Sequence, residues 1–294
     1  MKRIGLLTFL IFNVNLVIGQ VKGVVVDENN KPIPYVNIWV ENENIGTTSN
    51  DNGFFIINAS EGKRLVFSAV GFESKIISIK NEEKVVLKTA VFKLDEILII
   101  KRKQDKELEI GNAERIHHRQ LSGDKPWIYG KLFPYDSAYN STPYLKKIIF
   151  YSDCDIKEAK IKIRIFDFNN TIPTNDLLPE DLIVTVKRGK RKNTIDIAKY
   201  HLRFPEKGIV IGLEWMIIEE NRHDFVYKDT KSKKTVTMEN YQPSLVVNYS
   251  QEAHSFNYSQ GKWIRNKKFV IENNNDKPWF NTVMLPAINL ILTN

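Results

Sequence analysis

Apolar and polar residues alternate with a period of two along much of this chain. The clearest stretch runs from Lys157 to Phe166, where Ala159, Ile161, Ile163 and Ile165 alternate with Glu158, Lys160, Lys162 and Arg164. Successive strand side chains point to opposite faces, so this predicts a strand with one dry and one charged face. Val36, Ile38 and Val40 alternate with Tyr35, Asn37 and Trp39 in the same way, behind the turn cluster Glu28-Asn29-Asn30-Lys31 and the stiff Pro32 and Pro34. Further strands are predicted at 21–27, 54–58, 64–70, 74–79, 84–88 and 92–100. Later ones fall at 181–187, 194–204, 208–218, 244–249, 254–258, 263–271 and 287–292. Asn50-Asp51-Asn52-Gly53 reads as a hairpin turn, because Asn and Gly accept positive φ cheaply. A short helix is expected only within Leu108 to Leu121, and two longer loops at 169–179 and 219–243.

Short strands separated by polar turns, without helices between them, predict an all-β chain of two β-sandwich domains. The first covers residues 20–100. Residues 101–107, Lys-Arg-Lys-Gln-Asp-Lys-Glu, form a charged linker. The second covers 108–294, with a jelly roll as one way to close it. Residues 1–19 open with Lys2 and Arg3, continue as a short apolar run and end in small residues, the plan of a secretory signal peptide cut before Gln20. Asn13 and Asn15 interrupt a run already short of the ~20 apolar residues that a membrane span needs. No Cys comes after it to carry a lipid anchor, and no later stretch reads as a transmembrane helix.

Several ordered motifs in the first third carry a family resemblance. They are Gly23-Val24-Val25-Val26-Asp27, Pro32-Ile33-Pro34-Tyr35-Val36-Asn37-Ile38, the run Gly46 to Phe55, and Leu65-Val66-Phe67-Ser68-Ala69-Val70-Gly71-Phe72. Together they resemble the carboxypeptidase regulatory-like domain, a transthyretin-like (prealbumin-like) sandwich common in Bacteroidetes envelope proteins. It often forms the amino-terminal module of TonB-dependent receptors, and Leu94-Asp95-Glu96-Ile97-Leu98-Ile99 is similar to the segment that closes it there. Ser49 and Asn50 stand where the family usually has Thr and Asp, and both keep a side-chain acceptor for the turn. The resemblance implies an accessory module without catalytic residues. The stretch beyond residue 100 is too short for a receptor's plug and 22-stranded barrel. From Ala159 to Trp215 the chain resembles an uncharacterised second domain found behind this module in Bacteroidetes proteins.

Composition narrows the chemistry. Of 294 residues 42% are hydrophobic and 27% charged, which argues for a folded chain over a disordered one. The single Cys154 excludes an intrachain disulfide and a Cys-rich zinc site. Asp153 and Asp155 beside it should raise its pKa, against a role as nucleophile. Residues 101–294 carry +8 and residues 20–100 carry −2. The basic run Lys187-Arg188-Gly189-Lys190-Arg191-Lys192 reads as a solvated hairpin tip. In an exported protein, polysaccharide or acidic lipid suits such charge better than nucleic acid.

HExxH, GxSxG and phosphate-loop motifs are all missing. His223 with Asp224, Glu219 and Glu220 is the one local group of ligand types, in a segment so charged that a solvated loop is the simpler reading. His117 and His118 diverge on any strand or helix. Glu214 beside Trp215 reads as a buried structural acceptor, and Asp27, Glu28 and Asp51 as turn residues. Trp263 and Trp279 are the candidates for an exposed ligand platform. No cofactor or metal is expected. The function expected is a non-catalytic envelope protein of the periplasm or outer-membrane face, docking a protein partner. The alternative is a glycan-binding accessory protein using the second sandwich, with a hydrolase third.

Overall fold

The computed structural model describes residues 19–78, 80, 82–90, 103–113, 118–269 and 280–294. The predicted signal segment before Gly19, the predicted strand 92–100, Lys101 and Arg102 of the predicted linker, His117 and Trp279 lie outside the described residues. The chain is all-β, and its strands form β-sandwiches.

Among the described residues, seven strands build the amino-terminal sandwich: β1 (Gln20–Val26), β2 (Asn37–Val40), β3 (Gly46–Thr48), β4 (Phe54–Asn58), β5 (Arg64–Ser68), β6 (Lys75–Ser78) and β7 (Glu82–Val86). One sheet has the order β4-β1-β7 and the other β3-β2-β5-β6. β1 pairs antiparallel with β4 and parallel with β7. Alternation sends Val25, Ile38, Phe55, Leu65 and Phe67 into a shared core, where Phe55 and Phe67 meet edge to face at 5.5 Å. The turn before β4 uses the residues that its sequence offers. Asn50 Oδ1 accepts from the backbone N–H groups of Asn52 and Phe54, both at 3.0 Å. Ser49 Oγ accepts from Val36 N at 2.8 Å. Gly53 has φ +71°, and a Cβ there would lie 2.5 Å from Val25 O.

The later described residues add β8 (Glu107–Ile110), β9 (Arg119–Gln120), β10 (Ile128–Phe133), β11 (Tyr144–Phe168), β12 (Pro173–Asp176), β13 (Leu182–Asp196) and β14 (Ile209–Trp215). Beyond these lie β15 (Phe225–Lys228), β16 (Thr235–Met238), β17 (Ser244–Ser250), β18 (Ser255–Ser259), β19 (Lys262–Arg265), β20 (Val283–Pro286) and β21 (Ile288–Thr293). The main path is β19-β18-β10-β14-β11-β17-β20. β11 organises it. Over 25 residues, about 80 Å at ~3.3 Å per residue, its inner side meets β21, then β17, then β14. Its outer side carries β13. Between Cys154 and Glu158 the pairing with β13 slips by a bulge, which exchanges the two faces. Ile148, Phe150 and Cys154 face the main core before it, and Ala159, Ile161, Ile163 and Ile165 after it.

The strand pattern was legible, and four local expectations are corrected. The described part of 108–121 is extended, with β8 paired to β21 and β9 to β17 rather than coiled into a helix. The strand expected over 194–204 stops at Asp196, whose carboxylate accepts from Ala198 N at 2.9 Å and starts a short 3-10 turn at Ala198–Tyr200. The expected loops hold β12 and the separate hairpin β15-β16. The basic run from Lys187 to Lys192 is no hairpin tip. It lies within β13, and Gly189, at φ +88°, stands opposite Cys154 at the bulge. Among the described residues β13 pairs with β11 alone, and charge along such an edge discourages pairing with another chain.

Candidate functional site

The charged face of β11 is covered. Lys162 and Arg164 are 1% and 8% exposed because β2 and the turn before it pack over them from the first sandwich. Arg164 Nη1 donates to Glu214 Oε2 at 2.8 Å, and its Nε donates to Asp176. The other Glu214 oxygen accepts from the Asn37 amide. Lys162 Nζ donates to Tyr35 O at 3.0 Å and lies 3.0 Å from Asp181 Oδ1 in an ion pair. Lys160 Nζ donates to Tyr35 Oη at 2.9 Å. Thr48 Oγ1 accepts from Ile217 N at 3.1 Å. Tyr35 holds φ +56°, a left-handed conformation that costs a non-glycine residue about 1–2 kcal/mol.

Chemically this cluster is closed. Burial alone would lower the Arg164 pKa, but Asp176 and then Glu214 outweigh it and hold the guanidinium protonated. Both Glu214 oxygens accept a hydrogen bond and the residue is fully buried, so the carboxylate is not open to a substrate. A buried ion pair fully met by hydrogen bonds positions elements more than it reacts. Here it fixes how the first sandwich sits on the second. Where the two meet at the surface, a cleft of about 590 Å³ opens between Ile56, Ile57 and Asn58 on one side and Arg222, Glu239 and Tyr241 on the other.

The residues singled out from sequence are scattered. Trp263 is half-buried, and its indole packs edge-on against Phe166 at 5.0 Å and lies over Gly130. His223 is exposed, while Asp224 is engaged by Arg222 at 3.2 Å. Among the described residues no three His, Cys, Asp or Glu side chains converge as a metal site. His118 is exposed and meets Tyr249 edge-on at 5.0 Å. The Asp27 carboxylate accepts from Asn29 N and Lys31 N at 2.8 Å, within its own turn.

Cys154 is buried in mid-β11, its thiol donating to Ile156 O at 3.4 Å. Burial pushes its pKa up first, and Asp155 and Asp153 add to that. The thiol should therefore stay silent to Ellman's reagent at pH 8 in the native protein and react fully in denaturant. Rapid native labelling would contradict the burial.

A family match falls on the amino-terminal sandwich. Residues 21–99 match the CarboxypepD_reg-like domain family. The TonB-dependent receptor SusC of Bacteroides thetaiotaomicron is 29% identical over 103 residues, which are 35% of this chain and 10% of the receptor. Among solved structures, the clostridial cysteine protease Cwp84 after propeptide cleavage covers 85% of this chain and 51% of its own at 10% identity, with a TM-score of 0.39. The protease and lectin-like domains of Cwp84 from Clostridium difficile give 85%, 45%, 10% and 0.33.

The CarboxypepD_reg-like domain thus supplies Tyr35, Asn37 and Thr48 to a junction that sequence reasoning did not find. Lys162 and Arg164 read only as the charged face of a strand, and nothing in the sequence singled out Asp176 or Asp181. One signal pointed the other way. Glu214 sits in the apolar run Ile209 to Trp215 and needs a cation, and the Lys and Arg of the alternating stretch were available. Lys131 was also missed, a single lysine inside the apolar run Trp127 to Phe133.

Proposed function

We propose that this chain is a non-catalytic envelope protein whose CarboxypepD_reg-like domain docks an extended segment of a protein partner. One observation carries the reading. β4 is a sheet edge, paired among the described residues with β1 alone, and it turns Phe54 and Ile56 outward, each 41% exposed. An edge strand with outward apolar side chains is a template for strand addition, where backbone groups give affinity and side-chain pockets give choice. Ile56 also lines the 590 Å³ cleft, so a docked strand would touch both sandwiches. The likeness to part of a TonB-dependent receptor and the signal-like first 19 residues support an exported protein of the periplasm or outer-membrane face. The closed state of the Arg164 cluster supports a structural role for its carboxylates.

The test is a photo-crosslinking residue placed at position 56 and, as control, at exposed Ile172, with products from intact cells identified by mass spectrometry. A discrete envelope protein captured from position 56 and not from 172 is expected. Equal capture from both positions, or none from 56, would refute docking at β4.

A further inference from the structure

Lys131 stands on the wrong face of its strand for a charge. In β10 the side chains of Tyr129, Lys131 and Phe133 share one face, and Tyr129 and Phe133 belong to the main core. Lys131 is 8% exposed. Its Nζ donates to Ile288 O at 2.6 Å and sits 4.9 Å from the centroid of the Phe133 ring. An ammonium has three donors, and among the described residues no carboxylate forms an ion pair with this one. Buried charges are normally paired, since desolvation without a counter-ion is costly.

Beside it lies a cavity of about 310 Å³, at the lower end of the range for small-molecule sites. Lys131, Phe133, Tyr139, Tyr249 and His254 line it, with Asn112, Asn248 and Glu252 also contributing. The groups facing Lys131 across this space come from several elements: Tyr139 from the turn after β10, Tyr249 from β17, and Glu252 and His254 from the β17–β18 connection. Burial lowers the His254 pKa, with Arg265 and Lys131 adding to the effect against Glu252. His254 is therefore neutral near pH 7, and Lys131 is the buried cation that this cavity offers to a ligand.

We propose that this cavity binds a small hydroxylated monocarboxylate of the uronic-acid class, its carboxylate supplying the counter-charge that Lys131 lacks. A single ammonium matches one negative charge, and Glu252 at the cavity disfavours a dianion such as phosphate. Aromatic walls suit the faces of a sugar ring, and amides suit its hydroxyls. The inference does not rest on docking at β4.

Burial pulls the Lys131 pKa down to about 8, so a bound carboxylate should draw a proton onto it. Calorimetric titration of the full chain with glucuronate at pH 8, in two buffers of different ionisation heat, reads affinity and proton uptake together. Saturable binding with proton uptake is expected, and Lys131→Met should weaken it at least about tenfold. Tyr249→Ala, which leaves the lysine in place, should weaken it while keeping the uptake. Four results would overturn the proposal. They are no binding at ~10 mM glucuronate, binding without proton uptake, glucose or acetate binding as well as glucuronate, and inorganic phosphate binding more tightly. A Lys131→Met protein that binds as the wild type would also refute it.

Discussion

Replacing Arg164 with Leu should remove about 3–5 kcal/mol of unfolding free energy, measured by urea denaturation at pH 7. The loss comes from what stays behind. Glu214 is fully buried and the Asp176 side chain is 11% exposed, and without the guanidinium the two carboxylates are left without a cation between them. Replacing the pair, Arg164→Leu with Glu214→Leu, should cost clearly less than Arg164→Leu alone, because no buried charge is then orphaned at that end. The Asn37 amide, which donates to Glu214, ties this cluster to the first sandwich. Arg164→Leu should therefore also speed proteolysis between the sandwiches. A loss below about 1 kcal/mol would mean that water already reaches the cluster and screens it.

Lys131→Met should move stability the other way. The folded-state pKa is about 8 against an ordinary 10.5. Between those values the unfolded chain holds a proton that the folded chain has released, so stability rises with pH through the window. From pH 7 to about 9.5 this one group should add about 2 kcal/mol. Below pH 8 the buried charge is a constant penalty. Removing it should stabilise the protein by about 1–2 kcal/mol at pH 7, after allowing for the lost bond to Ile288 O. The variant should also lack the wild type's rise towards pH 9.5. Above pH 10 both proteins also lose stability through Tyr129, whose pKa burial raises and which keeps its proton when the unfolded chain does not, so only the gap between them reads Lys131 there. If wild type and variant keep the same gap at every pH, Lys131 is not desolvated.

These two residues show what one sequence can and cannot yield. The alternation from Ala159 to Arg164 was enough to place a strand and divide its faces. It could not show that the charged face is covered, because the cover is Tyr35 and Asn37, more than a hundred residues earlier. Polar residues adjoining Trp263 suggested an exposed ring, yet its neighbours across the sheet and over Gly130 hold it half inside. Gly189 was recognisable as an irregular point amid basic residues. Whether it made a turn or a bulge depended on how far β11 continued opposite it. The first sandwich was the most legible part, since its strands are short and its turns chemically marked. The cavity beside Lys131 was legible only as a misplaced lysine, because its walls come from the turn after β10, β17 and the β17–β18 connection.

β11 also imposes an order of events on a chain that emerges one end first. Its inner side near Ile148 and Phe150 pairs with β21, about 140 residues downstream. Until β21 has been made, that stretch of strand is bare, without its ladder partner and with its apolar side chains lacking their lid. Closure waits for β21 to arrive, and a ribosome pause or truncation in between would release a sticky, half-zipped ribbon. This topology leaves apolar strand exposed to aggregation until β21 pairs, the state that a holding chaperone gripping extended apolar chain would protect.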